Sequence, residues 1–460
     1  MATGTPRGPR KNVTPASAFC KVELTYPGKL PLSEILRTPP TTFQSITAAN
    51  KDKRIYFAEN LSVLATLAAD PSVCGNVRLV YIDPPYSTQS VFQSRQLTHA
   101  YEDIFETNEY IEFMRQRLAF LHHILAKDGS IYLHIDEKML FHVKIVMDEI
   151  FGATNYRNCI TRKKCNPKNY TRKTYGNVAD YILFYTKSDQ YVFNRQVEAW
   201  TDERAKEYQY VEPETGRRYM KVPVHAPGVR NGETGKPWRG VLPPPGKHWQ
   251  YLPATLDELD AKGEIFWSKN GNPRRKVYLD GSAGVPVQDI WMDYRDAHNQ
   301  NVHVTGYPTE KNIDMLKRII EASSNPGDLV LDCFAGSGGT LVAADMLGRN
   351  WIGIDNSPES LQTILHRFAN GTEPMGDFVG KKGAKKVAAS RSPFDLVPGD
   401  THVPVPQSSA RHQVREFSVH TDANNATEAQ KAIQRILSHD LRSKVVASPR
   451  NPEQCHLAIG

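Results

Sequence analysis

The stretch Asp328-Leu-Val-Leu-Asp332-Cys-Phe-Ala-Gly336-Ser-Gly338-Gly339-Thr340 carries a short apolar strand straight into a glycine turn that opens a helix. Glycines in such a turn accept positive φ and let the backbone approach a ligand, while the first amides of the helix offer donors. About twenty residues on, a second strand, Trp351-Ile-Gly-Ile354, stops at Asp355, where a carboxylate can accept from both hydroxyls of a ribose. No Lys-Ser or Lys-Thr follows the glycines, so a phosphate-gripping loop is disfavoured. Asp332 in front of the turn would repel a pyrophosphate but suits a cationic or zwitterionic nucleoside. This segment sets the expectation of an α/β fold that holds a nucleoside.

Working outward, apolar strands alternate with helical stretches. Strand-like runs occur at Arg54–Ala58, Val77–Ile82, Ile131–Ile135 and Tyr181–Tyr185. Helical spacing joins Leu61, Leu64 and Leu67, then Ile111, Met114, Leu118, Leu121 and Leu125. Further helices are expected over 137–150, 311–323, from the glycine turn to Leu347, and on to about Ala369. Such alternation indicates a mainly parallel sheet covered on both faces. Between 193 and 301 the pattern breaks: turn residues multiply, and five of the six tryptophans (Trp200, Trp238, Trp249, Trp267, Trp291) fall there. The expected organisation is a loosely ordered arm over 1–50 with one short helix near 32–37, then half of the α/β domain over 51–192. An inserted module follows over 193–301, then the second half over 302–370. A linker and extension over 371–460 carries a small helix near 426–438.

The 460 residues include 30 Gly and 31 Pro and are 40% apolar, which excludes collagen-like, coiled-coil and wholly disordered chains. Six scattered cysteines form no Cys-x-x-Cys pair, which disfavours a disulfide scaffold or zinc ribbon, leaves no metal site to expect, and suits a reducing cytoplasm. The basic start lacks the apolar segment of a signal peptide, and no run of ~18 apolar residues suggests a membrane span. The net charge of +7 admits a polyanionic partner. Seven basic residues (Arg157, Arg162, Lys163, Lys164, Lys168, Arg172, Lys173) with no acidic one crowd into 157–173, which is expected to be a loop facing the phosphates of a polyanion.

The strand Val77–Ile82 stops at Asp83-Pro84-Pro85-Tyr86. Two prolines fix the backbone, so the Asp83 carboxylate and Pro84 carbonyl make an acceptor-rich corner suited to an exocyclic amino group. Tyr86 offers a face on which a planar base can stack.

With both motifs in hand, the chain resembles the site-specific DNA amino-methyltransferases of the permuted β group, which use S-adenosylmethionine. In that family the Asp-Pro-Pro-Tyr motif precedes the target-recognition region and the Phe-x-Gly-x-Gly segment follows it; here the order is 83–86, 193–301, 334–338. The likeness also takes in Tyr56–Asn60, Gly129–Asp136, Asp289–Trp291, Gly306–Lys311 and Trp351–Asp355, and spans roughly 54–369. Ser87 stands where the family often has Asn, Cys333 where it has Pro, Gly339 where it has Thr, and Glu59 where it more often has Asp.

The resemblance implies a Rossmann-like S-adenosylmethionine-dependent methyltransferase fold with circularly permuted motif order and an inserted target-recognition region. It implies that Asp83, Pro84, Pro85 and Tyr86 are catalytic, and that Phe334, Gly336 and Gly338 line the methionine part of the cofactor with Asp332 near its ammonium. By the same likeness Asp355 holds the ribose, Thr309 and Lys311 approach the carboxylate end, and Glu59 and Asn60 lie by the adenine. Double-stranded DNA is the implied partner, and both a restriction endonuclease partner and a homodimer are compatible with the family. Asp rather than Ser at the first catalytic position points to adenine N6. A cytosine-N4 enzyme and a catalytically silent DNA-recognition subunit are the alternatives.

Overall fold

The computed structural model describes residues 22–47, 50–85, 107–165, 173–200, 205–281, 284–294, 310–371 and 412–439, with short strand pieces at 92–93, 99–101, 303–304, 373–374, 445–447 and 455–457. A ten-stranded sheet runs through the larger of two compact units. Its first half contains β1 (Gln44–Ser45), β2 (Lys53–Phe57), α1 (Asn60–Ala69), β3 (Val77–Ile82), α2 (Thr107–Ile124), β4 (Leu125–Ile135), α3 (Leu140–Phe151), β5 (Tyr156–Lys163) and β6 (Ala179–Thr186). Its second half contains β7 (Ile290–Trp291), α4 (Ile313–Ser323), β8 (Leu329–Asp332), α5 (Gly339–Met346), β9 (Asn350–Asp355), α6 (Pro358–Asn370), β10 (Ser418–Thr421) and α7 (Ala426–His439).

The strand order is β1-β10-β2-β9-β8-β3-β4-β6-β5-β7. Strands β2, β9, β8, β3 and β4 are mutually parallel, and β6 runs antiparallel to both β4 and β5. The continuous apolar run of β3 belongs at the centre of such a sheet because both of its faces are covered. Val80 and Ile82, with Ile131, Leu133 and Ile135, share one core with α1, α2 and α3. Strand alternation turns Tyr132 to the opposite face, where its hydroxyl meets Ser323 Oγ at the end of α4 (2.8 Å). The chain leaves β3 for β4 on one side and β8 for β9 on the other. Its crevice therefore opens at the switch point between the C-terminal ends of β3 and β8.

Residues 195–287 form the second compact unit. It holds an antiparallel sheet of Tyr210–Val211, Arg218–Pro223, Pro273–Tyr278 and Ile265–Trp267, beside the helix Pro253–Ala261. Trp238 and Trp249 are buried with Val224 and Leu256. Their indole N–H groups are satisfied by Asp257 Oδ1 (3.0 Å) and the Lys236 carbonyl (2.9 Å), so these tryptophans build a small core.

Two terminal expectations are corrected. Within the N-terminal arm, 22–47 is packed: Ile35 and Ile46 are buried, Lys29 pairs with Glu149 (2.9 Å), and β1 joins the sheet. Beyond 370, β10 lies between β1 and β2, with Val414, Phe417 and Val419 buried, and α7 packs on α6. The segment 412–434 is thus part of the domain rather than linker. Among the described residues no helix is long and apolar enough to cross a membrane.

Candidate active site

The glycine turn is held open by backbone conformation. Gly336 and Gly338 have φ of +49° and +73°, and a Cβ on Gly338 would sit 2.9 Å from Ile364 Cγ1. Any larger residue there would be strained by its φ and by contact with α6. Asp332, the last residue of β8, is buried at 2% exposure, and its Oδ1 accepts from the Phe334 N–H at 3.0 Å. Burial pushes its carboxyl up to about 7, against the hydrogen bonds from Thr340 and Phe334 and with help from the charges of Asp83 and Asp355. Asp355, at the end of β9, accepts from the Gly336 N–H (2.8 Å) and the Ser357 N–H (2.9 Å), and desolvation raises its carboxyl as well.

Glu59 and Asn60 begin α1. Glu59 caps the helix by accepting from Ser62 N (2.9 Å), and the Asn60 amide donates to the Cys333 carbonyl (2.9 Å), which ties α1 to the glycine turn. Both are gripped by Arg117 of α2, which donates to Asn60 Oδ1 (2.6 Å) and Glu59 Oε1 (2.5 Å). The Arg117 guanidinium lies 3.4 Å over the Phe113 ring, whose centroid is 6.0 Å from that of Phe334. Arg117 was not among the expected site residues. Its signal was a basic side chain directly beside Leu118 on the buried stripe of the helix. A second unanticipated pair, Arg367 of α6 with Glu310 (2.8 Å, each 2% exposed), lies beneath the same turn, where Arg367 also contacts Ser337.

Asp83 follows β3 directly; the register Val80 to Leu331 puts Tyr81 level with Asp332, and Asp83, two residues further on, is near enough for its charge to act on Asp332. Pro84 is buried and Pro85 half-buried. Lys311, expected at the carboxylate end of a cofactor, donates to Asp83 Oδ2 at 2.5 Å. Tyr86 and Thr309 lie outside the described residues.

The basic segment departs most from expectation. Its first half is strand β5 rather than loop, paired with β6 over seven residue pairs (Tyr156↔Tyr185 through Lys163↔Ala179). Arg162 is fully buried and donates to Asp180 Oδ2 (2.9 Å) and the Tyr294 carbonyl (2.5 Å), so it cannot meet a phosphate. Strand alternation turned it inward, and Asp180 satisfies it there. Arg157 starts β5, at the edge of the sheet opposite the crevice, where it bonds Thr186 Oγ1 and the Ser188 carbonyl (both 3.0 Å). Lys163 and Lys164 stand at the crevice edge, partly exposed, and Lys173 is exposed. Lys168 and Arg172 lie outside the described residues.

A sheet of this topology, with a buried and a half-buried carboxyl around a glycine turn and an Asp-Pro-Pro corner at its switch point, defines a Rossmann-like methyltransferase. A DNA methylase model, covering N6 and N4 methylases, matches residues 77–366. The chain belongs to this DNA methylase family, whose cofactor is S-adenosylmethionine. The Type II methyltransferase M.EcaI of Enterobacter cloacae is 43% identical over 432 residues, covering 90% of each chain. The DNA adenine methyltransferase YhdJ of Escherichia coli is 26% identical over 331 residues, covering 72% of this chain and 85% of that protein. Among solved structures, the DNA modification methylase TTHA0409 of Thermus thermophilus, complexed with S-adenosylmethionine, aligns with a TM-score of 0.37 and 16% identity. That alignment covers 69% of this chain and 93% of that one.

The residues fit the family's cofactor. Asp332 accepts from two neutral donors, the Phe334 N–H and the Thr340 hydroxyl, a setting that fits an ammonium. Gly336 and Gly338 give the turn its positive φ, and Asp355 closes it at the end of β9 by accepting from the Gly336 N–H, a carboxylate placed to suit the hydroxyls of a ribose.

Proposed function

We propose that this chain transfers a methyl group from S-adenosylmethionine to the exocyclic N6 amine of adenine in duplex DNA. One observation carries the reading: Asp83 on its rigid proline turn faces the acidic glycine turn of Asp332 across a single crevice. The cofactor supplies an electrophilic methyl on a sulfonium. Asp332 would hold the ammonium, Asp355 the ribose hydroxyls, and the Glu59–Asn60–Arg117 corner the adenine edge. Asp83 and the Pro84 carbonyl would accept the two hydrogens of the target amine. That draws its nitrogen towards tetrahedral geometry and turns the lone pair to the methyl, so catalysis comes from positioning and preorganised charge. The target base must leave the stack at a cost on the order of a few kcal/mol, of which stacking on Tyr86 would return about 1–3.

An aspartate at position 83 supports adenine over cytosine, as does the likeness to YhdJ. The test is transfer of labelled methyl to DNA, followed by mass spectrometry of the nucleosides. N6-methyladenine is expected; N4-methylcytosine would reassign the base, and unlabelled DNA would end the proposal.

Target recognition is assigned to the 195–287 unit, and phosphate contact to Lys163, Lys164 and Lys173. Lys163→Ala should reduce the salt slope of DNA binding by roughly one charge. Arg162→Met should leave that slope unchanged but destabilise the fold by about 3–5 kcal/mol, because Asp180 loses its buried partner. Salt titrations and thermal melts of the two variants separate these roles. The same reading sets the chain in the cytoplasm alongside a restriction endonuclease of matching specificity.

A further inference from the structure

The Lys311 ammonium contacts one carboxylate and acts through its charge on a second. Asp83 accepts its hydrogen bond at 2.5 Å, and Asp180 on β6 feels its charge. Asp180 is already engaged: its Oδ2 lies 2.9 Å from Arg162 Nη1 and 2.9 Å from His134 Nε2. Burial opposes its ionisation, but His134 and Arg162 hold its carboxyl well below the usual carboxylate range. Those two are braced in turn, His134 by the Tyr81 hydroxyl (3.0 Å) and Arg162 by the Tyr294 carbonyl (2.5 Å). Tyr81, His134 and Arg162 are all fully or almost fully buried. Asp83 thus faces Lys311 from the segment before α4, Asp332 from β8 and Tyr81 from its own strand, with the Asp180 cluster of β4, β5 and β6 behind Lys311.

We infer that Lys311 is a positioning residue for methyl transfer. Its ammonium fixes the Asp83 carboxylate in one rotamer, and Arg162 with His134 keep it there by occupying Asp180. The inference rests on the reading of Asp83 as acceptor of the target amine. A protonated Asp83 would present a hydroxyl where the amine needs an acceptor, and the charges of Asp83 and Asp332 repel one another. A cation in contact with Asp83 offsets that repulsion. Without Arg162, Asp180 would compete for the same ammonium and draw it off Asp83.

The test is the pH profile of single-turnover methyl transfer, with cofactor affinity measured separately by calorimetry. The variants are Lys311→Met, Lys311→Arg, Arg162→Met and Arg162→Met combined with Asp180→Asn. Lys311→Met should move the acid limb upward by about one pH unit or more, a rate loss of at least roughly tenfold on that limb, and change cofactor affinity less than about threefold. Lys311→Arg should restore the limb. Arg162→Met should slow transfer, and Asp180→Asn in the same chain should recover most of the rate. An acid limb unmoved in Lys311→Met, with cofactor binding weakened instead, overturns the inference and makes Lys311 a cofactor ligand only. If Arg162→Met does not fold, the Met and Arg variants of Lys311 decide alone. A wild-type protein that methylates nothing would sink the reading of Asp83 itself, a result distinct from an unmoved limb.

Discussion

Replacing Asp332 by Asn should raise the melting temperature of the free protein above pH 7 while weakening S-adenosylmethionine binding by at least about 100-fold. Both effects come from one carboxyl. In the unfolded chain an aspartate loses its proton near pH 3.8; in the fold, burial holds Asp332 protonated up to about 7. The folded state therefore binds the proton more tightly, so stability declines as pH rises through that window and levels off above it. By this linkage the cost at pH 8 is on the order of 4 kcal/mol. Asn keeps an acceptor for the Phe334 N–H and carries no charge, so it removes the cost. It also removes the only reason to ionise there, which is to meet an ammonium. Cofactor affinity of the wild type should accordingly fall as pH drops below 7, by up to tenfold per unit, and that dependence should be absent from the Asn variant. Calorimetric titrations and melts across pH 6–9 read both. A variant that binds cofactor normally would move the ammonium away from Asp332.

Asp83→Ala should reduce methyl transfer by at least about 1000-fold, the scale seen when a preorganised group that acts in the transition state is removed. Cofactor affinity should stay within a few-fold, because Asp83 acts on Asp332 through its charge. The circular dichroism should be unchanged, and the melting temperature should fall modestly as Lys311 loses its bond. Transfer within tenfold of wild type would show that the amine is held elsewhere.

How far the fold was legible depended on whether a residue's partner lay close in sequence or in a repeating pattern. The strand-turn-helix of 328–340 and the β3 strand with its prolines carry their own geometry. Arg162 did not: in sequence it is one of seven basic neighbours, and only the alternation of a strand not foreseen there turns it inward to Asp180. His134 was legible in part, since a histidine within the apolar run Ile131–Ile135 needs a buried partner, but nothing local names Tyr81 and Asp180. Strand β10 escaped because Ser418-Val-His-Thr421 is short and three of its four residues are polar. Its two hydroxyls are buried and satisfied at long range, Ser418 Oγ by the Asn50 carbonyl and Thr421 Oγ1 by that of Phe57.

The position of β10 also bears on how the chain can be completed during synthesis. β2, near the start of the chain, pairs on its outer side with β10, and β1 pairs with β10 in turn. Until residue 421 has left the ribosome, β2 has an open edge and β1 has no strand to join. The nascent chain must therefore carry an unprotected strand edge through the making of its entire catalytic core, and that interval is its point of greatest exposure to aggregation.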